Sequence, residues 1–448
     1  MWTDALGNPV SLEHAGSLGG LNDFVEGFIA SEARAVDILQ TAAVDTAPLV
    51  QAYAAAVHMF AETSAASSNA RDFIERARAS LLPTTRREQG FVRAVEAWVD
   101  GNVALSSALL EHHVREFPRD LVALKLAHYH LFNRGDSPGM LRVALTALPA
   151  AADVPYLHGM LAFAWEQCHL LEEAEAAARR ALAMRRKEPW AHHALAHVML
   201  TQGRIHEGHR FLADVSDSWV GLNSFMVTHN WWHQALFAIE LEAHDEVLSL
   251  YDTQVWGVAK DYSQDQVNAI SLLARLELAG VDVGERWQDV ADHLLDHLSD
   301  QVLPFLDLQY LYGLARAGRP AADALLRNIE NHAAQAPAAS VDTWQRVCAP
   351  ASRGLLAHAR GDWARAVDEL GQALPRMAEI GGSHAQRDLF SQLHLDALIR
   401  SGKLSAAQHL LQQQLRGQPE SRRLIRQAAG VYAGLGLGAV ARTLKLSS

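Results

Sequence analysis

The chain is poor in cysteine, glycine and proline, and it has no long apolar run. Its 448 residues include 2 cysteines, 29 glycines and 14 prolines. The two cysteines, Cys168 and Cys348, are too few for a disulfide framework. No apolar run reaches the length that spans a bilayer. Alanine and leucine dominate, while runs of Val, Ile and Thr are rare, so the composition favours helix over sheet.

The start of the chain and its net charge bear on where the protein is found and which partners it binds. The opening MWTDALGNPVSLEH lacks a charged start followed by an apolar stretch, so we expect no signal peptide and a soluble, cytoplasmic protein. With 39 basic and 51 acidic side chains, the formal net charge is −12, and no Lys/Arg block stands out. Nucleic acid and membranes are therefore not expected as partners.

Sequence motifs of several enzyme classes are also absent. There is no G-x-x-x-x-G-K-[ST], no G-x-G-x-x-G after a strand, no G-x-S-x-G and no C-x-x-C. Nucleotide hydrolysis, dinucleotide redox chemistry and serine-hydrolase chemistry lose support, and no nucleotide or flavin cofactor is expected.

Two adjacent segments, 156–189 and 190–219, repeat with a period of 34 residues. Aligning them pairs large residues with large ones and small with small: Leu161 with Leu195, Ala162 with Ala196, and Ala174 with Gly208. Each segment reads as helix, turn, helix, and Gly203 marks the second turn. Similar helix pairs recur upstream and downstream with drifting spacing. The prediction is an all-α fold, a tetratricopeptide-like right-handed superhelix (an α-solenoid) of antiparallel helix pairs.

We expect three regions along this array. Residues 1–79 contain three helical segments without a clear repeat and are predicted to form an N-terminal cap. Residues 80–260 hold the repeats with a histidine-rich concave face. Residues 261–448 form C-terminal helical repeats that close the solenoid. No Pro/Gly/Ser linker separates them.

Histidine is abundant, with 23 in the chain, and two pairs share one spacing. His193 and His197 are four residues apart, as are His229 and His233, so each pair stacks on one helix face about 6 Å apart. The first helices of tetratricopeptide pairs line the concave side at about 10 Å from one another. We therefore expect the two pairs to converge, with Glu166 on the preceding first helix sharing their flank.

Three interpretations of the histidines remain open. As a metal site, they would bind zinc or another divalent ion, with Glu166 as ligand or base. As general acids and bases, a histidine and its carboxylate partner would transfer protons near neutral pH without metal. As structure, they would hydrogen-bond across helix pairs. Trp232 is expected to pack in the core or to form a wall of the pocket.

Two further places carry candidate residues. In GGSHAQRDLFSQ, two glycines form a turn, and His384, Arg387 and Asp388 crowd the start of a helix. Arg387 offers a fork for a carboxylate or phosphate, and Asp388 with the helix amides would hold a partner. The alternative is a capped helix with an internal Arg–Asp contact. Asp307 is an acid in an otherwise apolar helix, so if buried it must be paired or functional.

Four segments together resemble the tetratricopeptide repeat protein 38 family: EPWAHHALAHVMLTQGRIHEG, THNWWHQALFAIELEAHDEVLSLYD, SLLARLELAGVDVGERWQDVADH and GGSHAQRDLFSQLHLDALI. The resemblance covers residues 158–397 and implies an α-helical solenoid. It also implies that seven residues match family motif positions: Glu166, His193, His197, His229, His233, Arg387 and Asp388. The family brings no activity with it.

One departure from the family pattern concerns metal binding. Where the family reads Phe-Asn-Asp-x-His, this chain has Phe305-Leu306-Asp307-Leu308-Gln309. Asp307 is kept, but Gln309 replaces the histidine. If that histidine belongs to a metal shell, this chain lacks the ligand.

These observations lead to one functional hypothesis and one alternative. The hypothesis is a concave pocket that binds a small molecule or short peptide and catalyses acid–base chemistry, with or without a divalent metal such as zinc. Its catalytic residues would be Glu166, His193, His197, His229, His233 and Asp307. Its binding residues would be Trp232, His384, Arg387 and Asp388. The density of titratable groups favours an enzyme of unknown reaction class. The alternative is a non-catalytic scaffold that binds peptide or protein partners in its groove.

Overall fold

The computed structural model describes residues 2–446, and side chains up to residue 444. A short antiparallel hairpin opens the chain, with β1 (Trp2–Thr3) paired to β2 (Pro9–Val10). The α-helices that follow account for most of the described residues. The first group is α1 Ser17–Ala30, α2 Ile38–Val44, α3 Pro48–Met59, α4 Ala66–Ala79, α5 Arg86–Val99, α6 Val103–Glu116, α7 Leu121–Asn133 and α8 Ser137–Ala151.

The remaining helices run to the end of the described chain. The middle group is α9 Pro155–Gln167, α10 Leu171–Met184, α11 Pro189–Thr201, α12 Ile205–Val215, α13 Ser224–Glu240, α14 His244–Leu250, α15 Ser263–Leu278 and α16 Arg286–His293. The last group is α17 Pro304–Arg316, α18 Ala321–Gln335, α19 Val341–Thr343, α20 Ala349–Ala359, α21 Trp363–Ala373, α22 His384–Arg400, α23 Leu404–Gly417, α24 Arg422–Gly434 and α25 Gly438–Leu446.

The predicted all-α fold of tetratricopeptide-like helix pairs is confirmed. The two repeats predicted by period are α9–α10 and α11–α12, and Gly203 sits in the second turn with a φ of 72°. The apolar stripes of the first helices are buried, from Leu195 and Met199 on α11 to Trp232 and Ile239 on α13. The N-terminal stretch holds four α-helices rather than three. Both cysteines are free, and no described helix is long and apolar enough to cross a membrane.

The chain divides into two compact units. Unit 1 comprises Met1–Leu195 with Val215–Val227, and unit 2 comprises Ala196–Asp214 with Thr228–Ser448. The divisions fall inside α11 and inside α13. The three regions expected from the sequence stay a prediction.

In unit 1, a buried ionic network ties the opening hairpin to the repeats. The Arg87 guanidinium donates to Asp120 Oδ2 at 2.7 Å and to the Pro9 carbonyl of β2 at 3.2 Å. His113 Nε2 lies 3.0 Å from the same carboxylate oxygen, and Asp4 lies 3.8 Å from Arg87. Arg87, Asp4 and Asp120 are all buried, so each charge depends on the others for stabilisation.

Helix α1 in unit 1 packs against helices from later repeats. Lys125 on α7 donates to Ser31 Oγ, just after α1, at 2.8 Å, and to the Phe28 carbonyl. Trp190 Nε1 on α11 donates to the same hydroxyl at 3.0 Å. The Ser31 carbonyl accepts from the amide of Asn223 at 2.7 Å. The end of α1 therefore covers part of the surface that α7 and α11 would otherwise offer to a partner.

In unit 2, the C-terminal helices return to α13. Arg423 on α24 donates to Glu240 at the end of α13 at 2.7 Å, and Ser421 Oγ donates to the same carboxylate at 2.9 Å. Gln418 donates to the Leu200 carbonyl of α11 at 3.0 Å. Arg275 on α15 reaches the Ala385 carbonyl in α22 at 2.6 Å. Hydrogen bonds thus join helices of unit 2 that are distant in sequence, such as α13 with α24 and α15 with α22.

The small residue predicted at position 208 has a steric reason. A Cβ at Gly208 on α12 would overlap the fully buried ring of Phe237 on α13. We expect Gly208→Ala to lower the free energy of unfolding by about 1–3 kcal/mol, because the core has no room to yield. Urea unfolding measures this. The matched control is Gly430→Ala on α24, where a Cβ meets open space and should stabilise by about 0.5–1 kcal/mol. Equal effects at both positions would contradict the steric account.

Candidate metal centre

Four histidines on α11 and α13 form one cluster. His193, His197, His229 and His233 are each at most 2% exposed. Each offers one ring nitrogen, and these four atoms all lie within 4.8 Å of one another. The i, i+4 spacing puts two rings on one face of each helix, and the 34-residue repeat brings the faces together. The two histidine pairs therefore converge, as the sequence predicts.

Three of these rings lie in unit 2 and touch one another. The ring centroids of His197 and His233 are 4.5 Å apart, and those of His229 and His233 are 4.9 Å apart. His193 packs in unit 1 against the rings of Phe163, at 4.9 Å, and Trp190, at 5.4 Å. Aromatic rings therefore exclude water from the edges of the cluster.

A chain of hydrogen bonds in unit 2 fixes the orientation of His229. Its Nδ1 donates to Asn268 Oδ1 on α15 at 2.9 Å. Asn268 Nδ2 in turn donates to Thr228 Oγ1 at 3.3 Å, and the Thr228 hydroxyl donates to Asp265 Oδ1 at 3.0 Å. Because an amide oxygen only accepts, the proton of His229 sits on Nδ1 and the lone pair sits on Nε2.

The chemistry of this donor set fits a transition-metal ion. Burial lowers the pKa of His229 to about 3, although the Asn268 hydrogen bond opposes this, so the imidazole is neutral, as a metal ligand must be. A tetrahedral zinc ion with Zn–N bonds of about 2.0–2.1 Å requires ligand nitrogens about 3.3–3.4 Å apart. Ring nitrogens that lie up to 4.8 Å apart would therefore have to approach one another by at most about 1.5 Å to hold such an ion.

The hydrogen bond from His229 to Asn268 gives a specific prediction. Asn268→Ala is expected to weaken zinc binding about 10–100-fold, because the ligand loses the partner that sets its tautomer and ring orientation. Competition with a chromophoric chelator measures this on the full chain. Asn328→Ala on α18 is the matched control, since Asn328 donates to the Leu298 carbonyl in another part of unit 2. Zinc affinity that is unchanged in Asn268→Ala would refute the role given to this amide.

Glu166 and Asp307 are not part of the four-histidine group in the described chain. Glu166 is fully buried on α9 and accepts from Gln167 at 2.5 Å. Asp307 is buried on α17 and accepts from Gln301 Nε2 at 3.2 Å. Burial raises the pKa of Asp307 to about 8, so this carboxyl is largely protonated near neutral pH. The catalytic roles expected for both residues stay predictions.

The second predicted cluster lies at the start of α22, as expected. Ser383 caps the helix through a capping box with Gln386. The Arg387 guanidinium donates to the carbonyls of Gly381, at 3.3 Å, and Gly382, and to His384 Nδ1 at 3.4 Å. Asp388 accepts from Gln392 Nε2 at 2.5 Å. Arg387 is thus bound to its own turn, and the binding roles of His384, Arg387 and Asp388 stay predictions.

Trp232 is fully buried and packs directly against the cluster. Its ring stacks on His229 at 5.1 Å with an interplanar angle of 9° and meets His233 edge-on at 4.9 Å. The guanidinium of Arg275 lies over the same indole, 5.4 Å from its centroid.

Four residues around the cluster were not predicted from the sequence: Asn268, Thr228, Asp265 and Arg275. Asn268 lies 39 residues after His229, at the corresponding place in the next first helix. Extending the repeat alignment by one helix would have found Asn268 and Asp265 in SQDQVNAISLL. Arg275 has no such signal, because its contacts come from α13 and α22.

No protein-family model matches the chain, so membership of the tetratricopeptide repeat protein 38 family stays a prediction. Among solved structures the chain is similar to human IFIT1, seen as a dimer with PPP-AAAA, at 11% identity and a TM-score of 0.43 over 90% of each chain. It is also similar to the APC/C hetero-tetramer Cut9–Hcn1, at 11% identity and a TM-score of 0.29, covering 85% of this chain and 90% of that one. A third similarity is to the P58(IPK) TPR domain, at 11% identity and a TM-score of 0.23, covering 81% and 92%. These similarities are too distant to indicate a ligand or an activity.

Proposed function

We propose that this protein is a metal-binding helical-repeat protein whose four clustered histidines hold one divalent transition-metal ion. The observation that supports this proposal is that four ring nitrogens of buried histidines lie within 4.8 Å of one another. Four imidazole nitrogen donors suit zinc, copper, iron or nickel better than magnesium or calcium, which prefer oxygen ligands.

The coordination number decides what such an ion does. Zinc held by four imidazoles is a closed tetrahedral site, which is the arrangement of structural zinc. An ion that takes six ligands keeps two positions for a small molecule, and would polarise a carbonyl or phosphoryl oxygen bound there. The first arrangement uses only the donors that the structure brings together, and the second is the one in which the metal would also bind and activate a small molecule.

The alternative of an open peptide-binding scaffold has less support. In unit 1, Ser31 at the end of α1 already takes the hydrogen bonds of Lys125 on α7 and Trp190 on α11. A peptide would have to displace the chain's own helix to reach these side chains.

Metal analysis of the full chain tests the proposal. The protein is purified without a polyhistidine tag and without chelator, and its metals are measured by plasma mass spectrometry. We expect one equivalent of a single transition metal, and we expect the stripped protein to take up one equivalent of Co²⁺. The intensity of the cobalt absorption bands separates four-coordinate from six-coordinate geometry. A protein that carries no metal and takes up no Co²⁺ would refute the proposal.

A further inference from the structure

Arg275 in unit 2 is a buried guanidinium that contacts no carboxylate of the described residues. The residue is 4% exposed. Its Nη1 donates to the Ser271 hydroxyl and to the Ser271 carbonyl at 3.3 Å, and its Nη2 donates to the Ala385 carbonyl at 2.6 Å. In the described part of the chain its hydrogen bonds thus go to neutral oxygens. A guanidinium has five N–H donors, so donor capacity is left over.

The nearby carboxylates are already engaged elsewhere. Glu240 accepts from Arg423 and Ser421, and Asp388 accepts from Gln392. Burial lowers the pKa of Arg275 to about 10, and the attraction of Asp388 and Glu240 does not make up for it. A buried positive charge without a paired anion is costly, so a bound anion would relieve an existing penalty.

A second orphaned polar group faces the same junction of helices. Gln309 on α17 is 1% exposed, and neither amide atom has a hydrogen-bond partner in the described chain. Phe305, one turn before it, lies against Gly382 at the turn leading into α22, and Gly313, one turn after it, lies against Ile270 of α15. Gln309 therefore faces the place where α15, α17 and the start of α22 meet, which is where Arg275 bonds to Ala385.

We infer that this junction in unit 2 binds a small organic anion, whose carboxylate or phosphate group is held by Arg275 and hydrogen-bonded by Gln309. Arg275 supplies the charge and a planar fork that matches both kinds of oxyanion. Gln309 supplies an amide that gains hydrogen bonds only when a ligand is present. The indole of Trp232 contacts both the guanidinium and the ring of His229. An anion held by Arg275 would thus lie near the histidines without being a ligand of the metal, and its binding does not depend on the proposed function.

Titration calorimetry on the full chain loaded with zinc tests the inference, with succinate and inorganic phosphate as probes in a buffer free of other oxyanions. We expect at least one probe to bind, and the stronger of the two identifies the anionic group. Arg275→Met should weaken that binding at least about tenfold, since a buried charged hydrogen bond is lost. Gln309→Leu should weaken it about three- to tenfold without lowering the melting temperature, because Gln309 has no hydrogen-bond partner to lose among the described residues.

The matched control is Arg360→Met, which removes an arginine of unit 2 that is half exposed and paired with Asp323. If Arg275→Met fails to fold, Arg275→Lys keeps the charge but loses the fork, and it too should bind the anion about tenfold more weakly. The inference would be overturned if neither probe binds, or if affinity is unchanged in both Arg275→Lys and Gln309→Leu. The zinc content of every variant is measured in parallel. If the unmodified protein holds one equivalent of zinc but binds no anion, only this inference is refuted. If the unmodified protein holds no zinc, the proposed function is refuted.

Discussion

His233→Ala is expected to remove the bound metal and to lower the melting temperature of the protein to that of the stripped form. His233 touches both His197 and His229, so its loss leaves the remaining imidazoles without their central neighbour. A ligand present at about 1,000 times its dissociation constant stabilises the folded state by about 4 kcal/mol. We expect a loss of that order, measured by thermal unfolding together with metal content.

Two controls separate loss of metal from loss of packing. His409→Ala removes an exposed histidine of α23 and should change neither metal content nor stability. Treatment with a chelator should lower the melting temperature of the unmodified protein but have no effect on His233→Ala. If His233→Ala keeps one equivalent of metal, His233 is not a ligand. If stripping the metal leaves the melting temperature of the unmodified protein unchanged, while His233→Ala lowers it, the ring serves packing alone.

Asp120→Ala in unit 1 is expected to cost about 3–5 kcal/mol of unfolding free energy, because it leaves the buried Arg87 without its closest anion. Asp120 also caps α7, where its Oδ1 accepts from the Ala123 amide at 3.1 Å. Urea unfolding at neutral pH measures the cost. The control is Asp153→Ala, since the Asp153 carboxylate is 66% exposed in its pair with Arg119 and should contribute less than about 1 kcal/mol. Comparable losses at both sites would contradict the importance given to burial.

The same network sets a pH dependence whose sign is fixed. Burial alone would raise the pKa of Asp120, but the Arg87 guanidinium and the His113 hydrogen bond lower it well below its ordinary value of 3.8. Its stabilisation is therefore fully present above pH 3.8 and is lost as the pH falls from there toward the folded-state pKa. In Asp120→Asn we expect a smaller loss of unfolding free energy over this acidic range. An unchanged slope would show that other carboxyl groups dominate acid unfolding.

The parts of the molecule that the sequence predicted are those with a local or periodic signal. Leu195 and Gly208 fall into large and small slots because neighbouring helices repeat the same packing. His193 and His229 come together for the same reason, since each starts an i, i+4 pair at an equivalent place.

The parts that were missed depend on contacts between distant segments. Asn268 orients His229 from the next helix pair, and Arg275 acquires its surroundings from α13 and α22. Arg387 was expected to face a ligand, yet the carbonyl groups of its own turn accept its hydrogen bonds. Such competition between backbone and ligand for one guanidinium leaves no trace in residue spacing.

The contacts at the end of α1 have a consequence for folding. In a simple repeat array each unit touches only its neighbours, so the array can form progressively from any point. Here Ser31 bonds to Trp190, 159 residues further along, and to Asn223. Long-range closure of this kind slows folding relative to a purely local array. On a ribosome, the end of the first helix could not complete its contacts until the start of α13 has left the exit tunnel.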